Sequence, residues 1–198
     1  MSFDKDRFEK QLNFLIEIDK MKSVFRRTML IDKSRRENDA EHSWHFAMCA
    51  LVLLEYAPSG TDINKVIKLA LVHDLVEVYA GDTFAYDEQG YSDKEERELM
   101  AADKIFGLLP DDQRRELRAF WDEFEEFKTR ESCYANAIDR LQPLINNYKT
   151  EGHTWREGSV SCDKVYKRME PIQLYAPELW PFIKWVVNDA MKKGYIKS

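Results

Sequence analysis

The sequence has little glycine, proline or cysteine for a chain of 198 residues. Seven Gly and six Pro leave few turn and breaker positions, while Leu, Lys, Glu, Arg and Ala are frequent. This balance favours helix and argues against an all-β fold. The three cysteines are odd in number and widely separated, which suggests neither a disulfide framework nor a zinc site of paired cysteines. Such cysteine usage fits a reducing compartment.

The sequence also lacks an excess of positive charge and a long apolar run. There are 30 Lys and Arg against 36 Asp and Glu, a formal net charge of -6, which disfavours binding to bulk nucleic acid. The longest apolar run, residues 46–54, is about half of a membrane span, so we expect no membrane segment. The first residues show no signal-peptide pattern. We therefore expect a cytoplasmic protein.

The hydrophobic content of 44% is enough for one domain with a full core. We expect residues 1–198 to form a single all-α domain, a bundle of about six to nine helices. A core of roughly residues 14–148 is expected to carry C-terminal helices at 160–193 packed on it. The aromatic C-terminal third suggests a homodimer.

Apolar spacing places the first helices. Residues 7–18 carry one apolar stripe at three-to-four-residue spacing. Its members are Phe8, Leu12, Leu15 and Ile16. A second helix is expected to begin near Asn38 or Asp39, either of which is a good N-cap. A third is expected to run without interruption over residues 62–79, because its apolar side chains lie nearly all round it.

The middle of the chain contains its most loop-like stretch, residues 81–91. After it, Ser92 and Glu95 form a capping box that predicts the start of a fourth helix. Further helices are expected at about 110–128 and 131–148, with one or two more within 160–191.

Two adjacent polar residues, His73 and Asp74, interrupt the apolar third helix. Burying both costs free energy unless something compensates them. A divalent cation binds imidazole nitrogen and carboxylate oxygen together and would compensate both. A pair that hydrogen-bonds to neighbouring groups is the alternative. His42 and Asp139 interrupt two other apolar segments, and Glu77 follows His73 by one turn, which favours one shared site.

This pattern of His42, then His73 and Asp74, then Asp139 resembles the HD-domain superfamily of metal-dependent phosphohydrolases. The segments AEHS at 40–43, VHDLVE at 72–77 and GD at 81–82 are similar to the bacterial 5'-deoxynucleotidase branch and its eukaryotic HD-domain-containing relatives. The similarity covers about residues 14–148. It implies an HD-type helical bundle.

The resemblance implies that one divalent metal ion is bound by four residues. These are His42, His73, Asp74 and Asp139. Such a cation keeps open positions for water and for a phosphoryl oxygen, lowers the pKa of that water and polarises phosphorus. The donor set is compatible with Mn2+, Co2+, Mg2+, Fe2+ or Zn2+ and does not identify the metal.

The resemblance also implies roles for residues beside the metal. Glu77 and Asp82 are placed like the branch's catalytic and sugar-proximal acids, and Arg26 like its phosphate-contacting arginine. The branch has tryptophan after that arginine, whereas this chain has Arg27, a second candidate for the substrate. Seven basic residues against one acid over residues 20–36 suit a phosphate, although a solvated charged loop is the alternative.

We therefore expect a metal-dependent phosphohydrolase that converts (deoxy)nucleoside 5'-monophosphates to nucleoside and phosphate. One alternative is hydrolysis of another small-molecule phosphate ester: a cyclic nucleotide, a nucleoside triphosphate or a non-nucleotide. Another is a non-catalytic binding protein stabilised by metal. Two further histidines need separate judgement: His45 is expected to hydrogen-bond to the site's ligands rather than join them, and His153 to lie exposed in a polar turn.

Overall fold

The computed structural model describes residues 3–87, 89–90 and 92–197, which form mostly helices and one small sheet. The described helices are α1 (Lys5–Ile18), α2 (Asp39–Val52), α3 (Ile63–Val72), α4 (Glu77–Ala80), α5 (Lys94–Phe106), α6 (Asp111–Glu126), α7 (Arg130–Lys149), α8 (His153–Glu157), α9 (Cys162–Tyr175) and α10 (Trp180–Lys192). This confirms the helical fold class. None of the described helices is both long and apolar enough to be a membrane-spanning segment.

The basic segment ahead of α2 is a β-hairpin, which the sequence does not predict. Strands β1 (Phe25–Met29) and β2 (Arg36–Asn38) pair antiparallel. The connection is closed by the Leu30 amide, which donates to the Arg35 carbonyl at 3.0 Å. Thr154 of α8 donates its hydroxyl to the carbonyl of Arg27 at 2.9 Å and ties β1 to the helices. The hairpin therefore holds Arg26 and Arg27 in fixed backbone positions.

The longest described helix, α7, runs through the middle of the main core. It packs against α2, α3, α6 and α9, and most of its side chains are buried. Its N-terminus carries a capping box in which Thr129 and Ser132 exchange hydrogen bonds. Core side chains from four different helices, Phe46, Leu69, Ile138 and Ile172, are fully buried.

The prediction of one helix over residues 62–79 is wrong, because α3 ends at Val72. From there the amides bond three residues back: Glu77 donates to the Asp74 carbonyl at 2.9 Å and Leu75 to that of Val72 at 3.1 Å. Bonds of this kind tighten the turn relative to an α-helix, and a short helix, α4, follows. Glu77 therefore does not share an α-helical face with His73, and the tight turn rather than the helical period brings it to the site.

The N-termini of α2 and α5 were also predicted from capping residues. Asn38 caps α2 with a capping box to Glu41, as expected. The capping box at Ser92 is wrong: α5 begins at Lys94, and the Ser92 hydroxyl instead donates to the carbonyl of Gln89 at 2.8 Å. Asp93 occupies the N-cap position, so Ser92 lies one residue before the cap. Positions 88 and 91 of the expected loop lie outside the described residues.

Candidate metal centre and its surroundings

Four side chains from three places in the fold meet in the interior. His42 comes from α2, His73 and Asp74 from the turn after α3, and Asp139 from α7. All four are buried. His42 Nε2 lies 3.0 Å from Asp139 Oδ1 and 3.8 Å from Asp74 Oδ2, while His73 Nε2 lies 3.1 Å from Asp74 Oδ1 and 3.7 Å from Asp139 Oδ1. The structure thus brings together the set expected from the sequence, named below as the ligand side.

Each imidazole of the ligand side is oriented by an oxygen on its outer nitrogen. His42 Nδ1 lies 2.9 Å from Gln142 Oε1, and His73 Nδ1 lies 2.9 Å from the carbonyl of Ala70. Because these oxygens can only accept, both Nδ1 atoms donate, and in the neutral rings the Nε2 lone pairs face the carboxylates. His73 Nε2 makes no hydrogen bond to any described residue. This is how a metal-binding histidine is usually held.

The charges of the ligand side favour a cation between the two carboxylates. Burial opposes ionisation of Asp74 and Asp139, but the adjacent imidazoles outweigh it and hold both carboxyl pKa values below their usual range. Burial likewise opposes the charged form of His73, yet Asp74 and Asp139 raise its pKa to about 10. Protons therefore supply the positive charge here, and a metal would compete with them. Two imidazoles and two carboxylates fit a divalent transition metal.

A second group of acids lies beside the ligand side and is named below as the acid side: Asp39, Glu77 and Asp82. Oxygens of Asp39 and Glu77 come within 4.8 Å of one another and of Asp74. Neither oxygen of Asp39 has a hydrogen-bond partner among the described residues. Burial raises the pKa of Asp39 to about 7 and that of Glu77 well above its ordinary value, with Asp74 adding to both. Burial also raises the pKa of Asp82.

Arg26 is the cation that faces this acid side. Its Nη1 donates to Asp74 Oδ2 at 2.8 Å and lies 3.6 Å from Asp39 and 3.9 Å from Asp82. Burial opposes the charged guanidinium, but Asp74 and the neighbouring acids outweigh it and raise the pKa of Arg26 well above its ordinary value. Its Nε has no partner among the described residues. One guanidinium thus faces several carboxyl groups.

Behind His42 lies a buried polar chain that the sequence does not reveal. Gln142 of α7 uses its Oε1 for His42, while its Nε2 donates to Glu37 Oε1 at 2.8 Å and lies 3.0 Å from His45 Nδ1. Asn146 donates to the same Glu37 oxygen at 3.3 Å. The bond to Glu37 fixes which end of the Gln142 amide faces His42. His45 therefore contacts Gln142, which in turn contacts His42, and its supporting role stays a prediction.

The two sides open into a cavity of about 260 Å³. Acidic residues and one histidine in its wall include His73, Asp74, Glu77, Asp82 and Asp139. The wall also includes the arginines Arg26, Arg27, Arg140 and Arg168 and the ring of Phe84. The Arg27 guanidinium lies over the Phe84 ring, 4.6 Å from its centre. His153 is exposed and outside this wall, as expected.

Sequence reasoning missed three residues of the site. Asp39 was considered only as a helix cap, although it precedes His42 by three residues and so shares its helical face. Gln142 follows Asp139 by three residues on α7 and could have been found the same way. Arg168 comes from α9, far along the chain, and its Nη2 lies 3.8 Å from Asp139 Oδ2. No local pattern signals that contact.

Comparison with known proteins agrees with this geometry. A family model described as HD domain matches residues 18–180. The human 5'-deoxynucleotidase HDDC2 is 29% identical over 135 residues, an alignment that covers 68% of this chain and 65% of that protein. A crystal structure described as a predicted metal-dependent phosphohydrolase from Magnetospirillum magnetotacticum is 46% identical, with a TM-score of 0.94 over 100% of this chain and 99% of that one. A conserved hypothetical protein from Pyrococcus furiosus, 21% identical over 91% of this chain and 99% of its own with a TM-score of 0.62, shares the fold.

Proposed function

The chain belongs to the HD domain family, and on that premise we propose that it is a metal-dependent phosphohydrolase. One observation carries the proposal: two buried imidazoles donate from Nδ1 to oxygen and turn Nε2 toward the carboxylates of Asp74 and Asp139. The substrate class we propose is a (deoxy)nucleoside 5'-monophosphate, cleaved to nucleoside and phosphate. The name of the human relative supports that class, and the name of the similar solved structure supports a metal-dependent phosphohydrolase.

We propose that one divalent cation is held by His42, His73, Asp74 and Asp139. The Nε2 of His73, which has no hydrogen-bond partner among the described residues, and the ionised carboxyl groups are the ligand atoms that such a cation requires. When bound, the cation supplies an acidified water and polarises a phosphoryl oxygen. The donor set supports Mn2+, Co2+, Mg2+, Fe2+ or Zn2+ alike.

We propose that the acid side handles protons. Hydrolysis adds a water oxygen to phosphorus and breaks the bond to the leaving oxygen, which must then gain a proton. Glu77 is buried beside Asp74 and keeps a raised pKa, and a nearby divalent cation would bring that pKa back toward neutrality, where a proton donor works best. Asp82 lines the same cavity and is proposed to face the sugar.

We propose that Arg26 and Arg27 bind the phosphate. Both guanidinium groups line the cavity, and guanidinium matches phosphate oxygens with paired hydrogen bonds. A phosphate that approaches Arg26 would share its donors with Asp74. Arg27 is more exposed and is free to turn, apart from its contact with Phe84.

The test is metal analysis followed by phosphate release. Protein loaded with Mn2+, Co2+ or Mg2+ should release phosphate from deoxynucleoside 5'-monophosphates. Asp74→Ala should lose both bound metal and activity, because it removes an ionised carboxylate that lies near the Nε2 atoms of both His42 and His73. The matched control is Asp163→Ala, at an exposed aspartate of α9, which should retain both. Full activity in Asp74→Ala would refute the mechanism.

We propose that the protein is a homodimer. The apolar stripe of α1 faces outward, with Leu15 59% and Ile16 61% exposed, and exposed apolar surface of this kind marks association sites. Phe182 and Trp185 of α10, stacked with ring centres 6.1 Å apart, are a second exposed apolar candidate. Sedimentation equilibrium should show a dimer that Ile16→Glu dissociates, whereas Trp185→Glu identifies α10 if it dissociates instead. A wild-type monomer contradicts the proposal.

We also propose a cytoplasmic location, with a small phosphate ester rather than a membrane or bulk nucleic acid as partner. The three cysteines, Cys49, Cys133 and Cys162, are unpaired, which suits a reducing compartment. Fractionation of the source cells with an antibody against the chain should recover it in the cytosolic fraction. Recovery with membranes would contradict the location.

A further inference from the structure

The cavity at the metal centre adjoins a second hollow of about 600 Å³. Four residues line both spaces: Ala85, Tyr86, Arg140 and Arg168. The second hollow, named the annex below, lies between the segment before α5, helix α7 and helix α9. The two spaces are therefore contiguous, and a ligand bound at the metal centre can extend into the annex.

The annex is basic in a protein that is acidic. Arg140, Lys164, Lys167 and Arg168 line it, and among the described residues of its wall Glu170 is the carboxylate. The whole chain carries a formal net charge of -6. A hollow lined by one sign of charge concentrates ions of the other sign, and the proposed hydrolysis of a simple monophosphate gives no role to Lys164 and Lys167.

Three of the cations share one face of α9. Lys167 and Arg168 follow Lys164 by three and four residues, which places their side chains together on a helix. Like charges at this spacing repel one another and destabilise a helix. A bound anion would relieve that repulsion.

The two arginines connect the annex to the reacting centre. Arg168 Nη2 lies 3.8 Å from Asp139 Oδ2, and its side chain is 27% exposed. The Arg140 guanidinium donates to the Asn136 carbonyl at 2.7 Å and to Asn136 Oδ1 at 2.8 Å, which fixes its position. A cation on Asp139 would weaken the hold of that carboxylate on Arg168 and leave its guanidinium available to an anion in the annex.

We propose that the preferred substrate is a phosphomonoester whose leaving group bears a second phosphate, as in a nucleoside 3',5'-bisphosphate. This rests on the proposed phosphohydrolase function. The phosphate at the metal centre is hydrolysed: water oxygen bonds to its phosphorus, the ester bond breaks and the leaving oxygen takes a proton. The second phosphate stays on the product, bound by Lys167, Arg168 and the neighbouring cations of the annex.

The test compares two substrates with the same base. Metal-loaded protein should show a KM at least tenfold lower for deoxyadenosine 3',5'-bisphosphate than for deoxyadenosine 5'-monophosphate, and should yield deoxyadenosine 3'-phosphate. Lys167→Gln and Arg168→Gln should each reduce the bisphosphate preference severalfold, and the double variant should abolish it. Lys184→Gln, at an exposed lysine of α10 outside the annex, should keep the wild-type preference.

The outcomes separate the two proposals. Equal KM values for the two substrates, or a preference that survives in the double variant, would overturn the annex while the phosphohydrolase function stands. If neither compound is hydrolysed with any of the metals, the proposed function fails, and equilibrium binding decides the annex alone. Calorimetric titration should then show the bisphosphate binding at least tenfold more tightly, and equal dissociation constants would overturn the proposal.

Discussion

The ligand side and the acid side lie next to each other but are balanced differently. On the ligand side, His42 and His73 each have an oxygen acceptor on Nδ1, and two carboxylates face their Nε2 atoms. On the acid side, both oxygens of Asp39 lack a hydrogen bond to any described residue. The ligand side is therefore preorganised for a cation, whereas the acid side is short of positive charge.

That difference predicts different effects when a group is removed from each side. Where polar groups are fully paired, removing one partner leaves another exposed to a low dielectric and costs free energy. Where carboxyl groups repel one another, removing one charge reduces the electrostatic repulsion. We therefore expect substitutions on the ligand side to lower metal affinity. Removing a charge from the acid side should instead stabilise the metal-free protein.

The largest effect is expected from Asp139→Asn. Asp139 is ionised between both imidazoles, and the neutral amide offers a weaker ligand oxygen and turns an N–H toward one ring. Metal affinity should fall by more than the roughly 10–100-fold typical of losing a supporting contact. Metal titration calorimetry measures this, with Asp163→Asn on the surface of α9 as the control. Unchanged affinity would remove Asp139 from the ligand set.

Gln142→Leu should cost metal affinity about 10–100-fold. The variant removes the only acceptor that His42 Nδ1 has in the described structure and leaves Glu37 without its Gln142 donor. Metal titration is again the measurement. The matched control is Gln113→Leu on α6, whose amide pairs with Gln11 far from the site. If both glutamine variants bind metal equally well, the orientation of His42 does not depend on Gln142.

The ligand side could be predicted from the sequence because its polar residues interrupt apolar segments. His73 and Asp74 are conspicuous in a run that otherwise has to be buried, and the energetic reason for that exception points to a cation. Of the acid side, Glu77 and Asp82 were expected from the resemblance, but Asp39 was not predicted. Asp39 stands at a helix start, where an aspartate has an ordinary capping explanation, and only the folded chain shows that Asn38 does the capping.

The break after Val72 shows a second limit of sequence reasoning. The apolar pattern continues past His73 as if the helix did, and no proline or glycine marks its end. The tight turn is instead set by packing and by the hydrogen bonds Leu75 to Val72 and Glu77 to Asp74. The exposed stripe of α1 is similar, since periodicity predicts a helix face but not what covers it.

Asp39→Asn should stabilise the metal-free protein. Burial and Asp74 raise the pKa of Asp39 to about 7 from an ordinary value of 3.8, so the folded state keeps a proton that the unfolded state loses over this interval. That contribution to stability therefore falls as pH rises from about 4 to about 7. At pH 8 the variant should be more stable by on the order of 1–2 kcal/mol, a part of the full shift because the charges are coupled.

Chemical denaturation of both proteins with chelator at pH 4 and pH 8 measures this. The gain should be present at pH 8 and much smaller near pH 4, where Asp39 is protonated in the folded state and about half protonated in the unfolded state. Asp163→Asn, at the exposed position on α9, should show no gain at either pH. A loss of stability at pH 8 would mean that Arg26 more than balances the acid side.

The smallest effect is expected at Arg27, which lies at the cavity wall outside both sides. Arg27→Lys keeps the charge but loses the planar guanidinium that lies 4.6 Å from the Phe84 ring centre. Steady-state kinetics with a deoxynucleoside 5'-monophosphate should show KM raised by about 3–10-fold and kcat changed by less than about twofold, since uniform binding is lost. Phe84→Leu should act in the same direction because it removes the same contact. A fall in kcat at constant KM would instead place Arg27 with the reacting groups and end the distinction between the wall and the two sides.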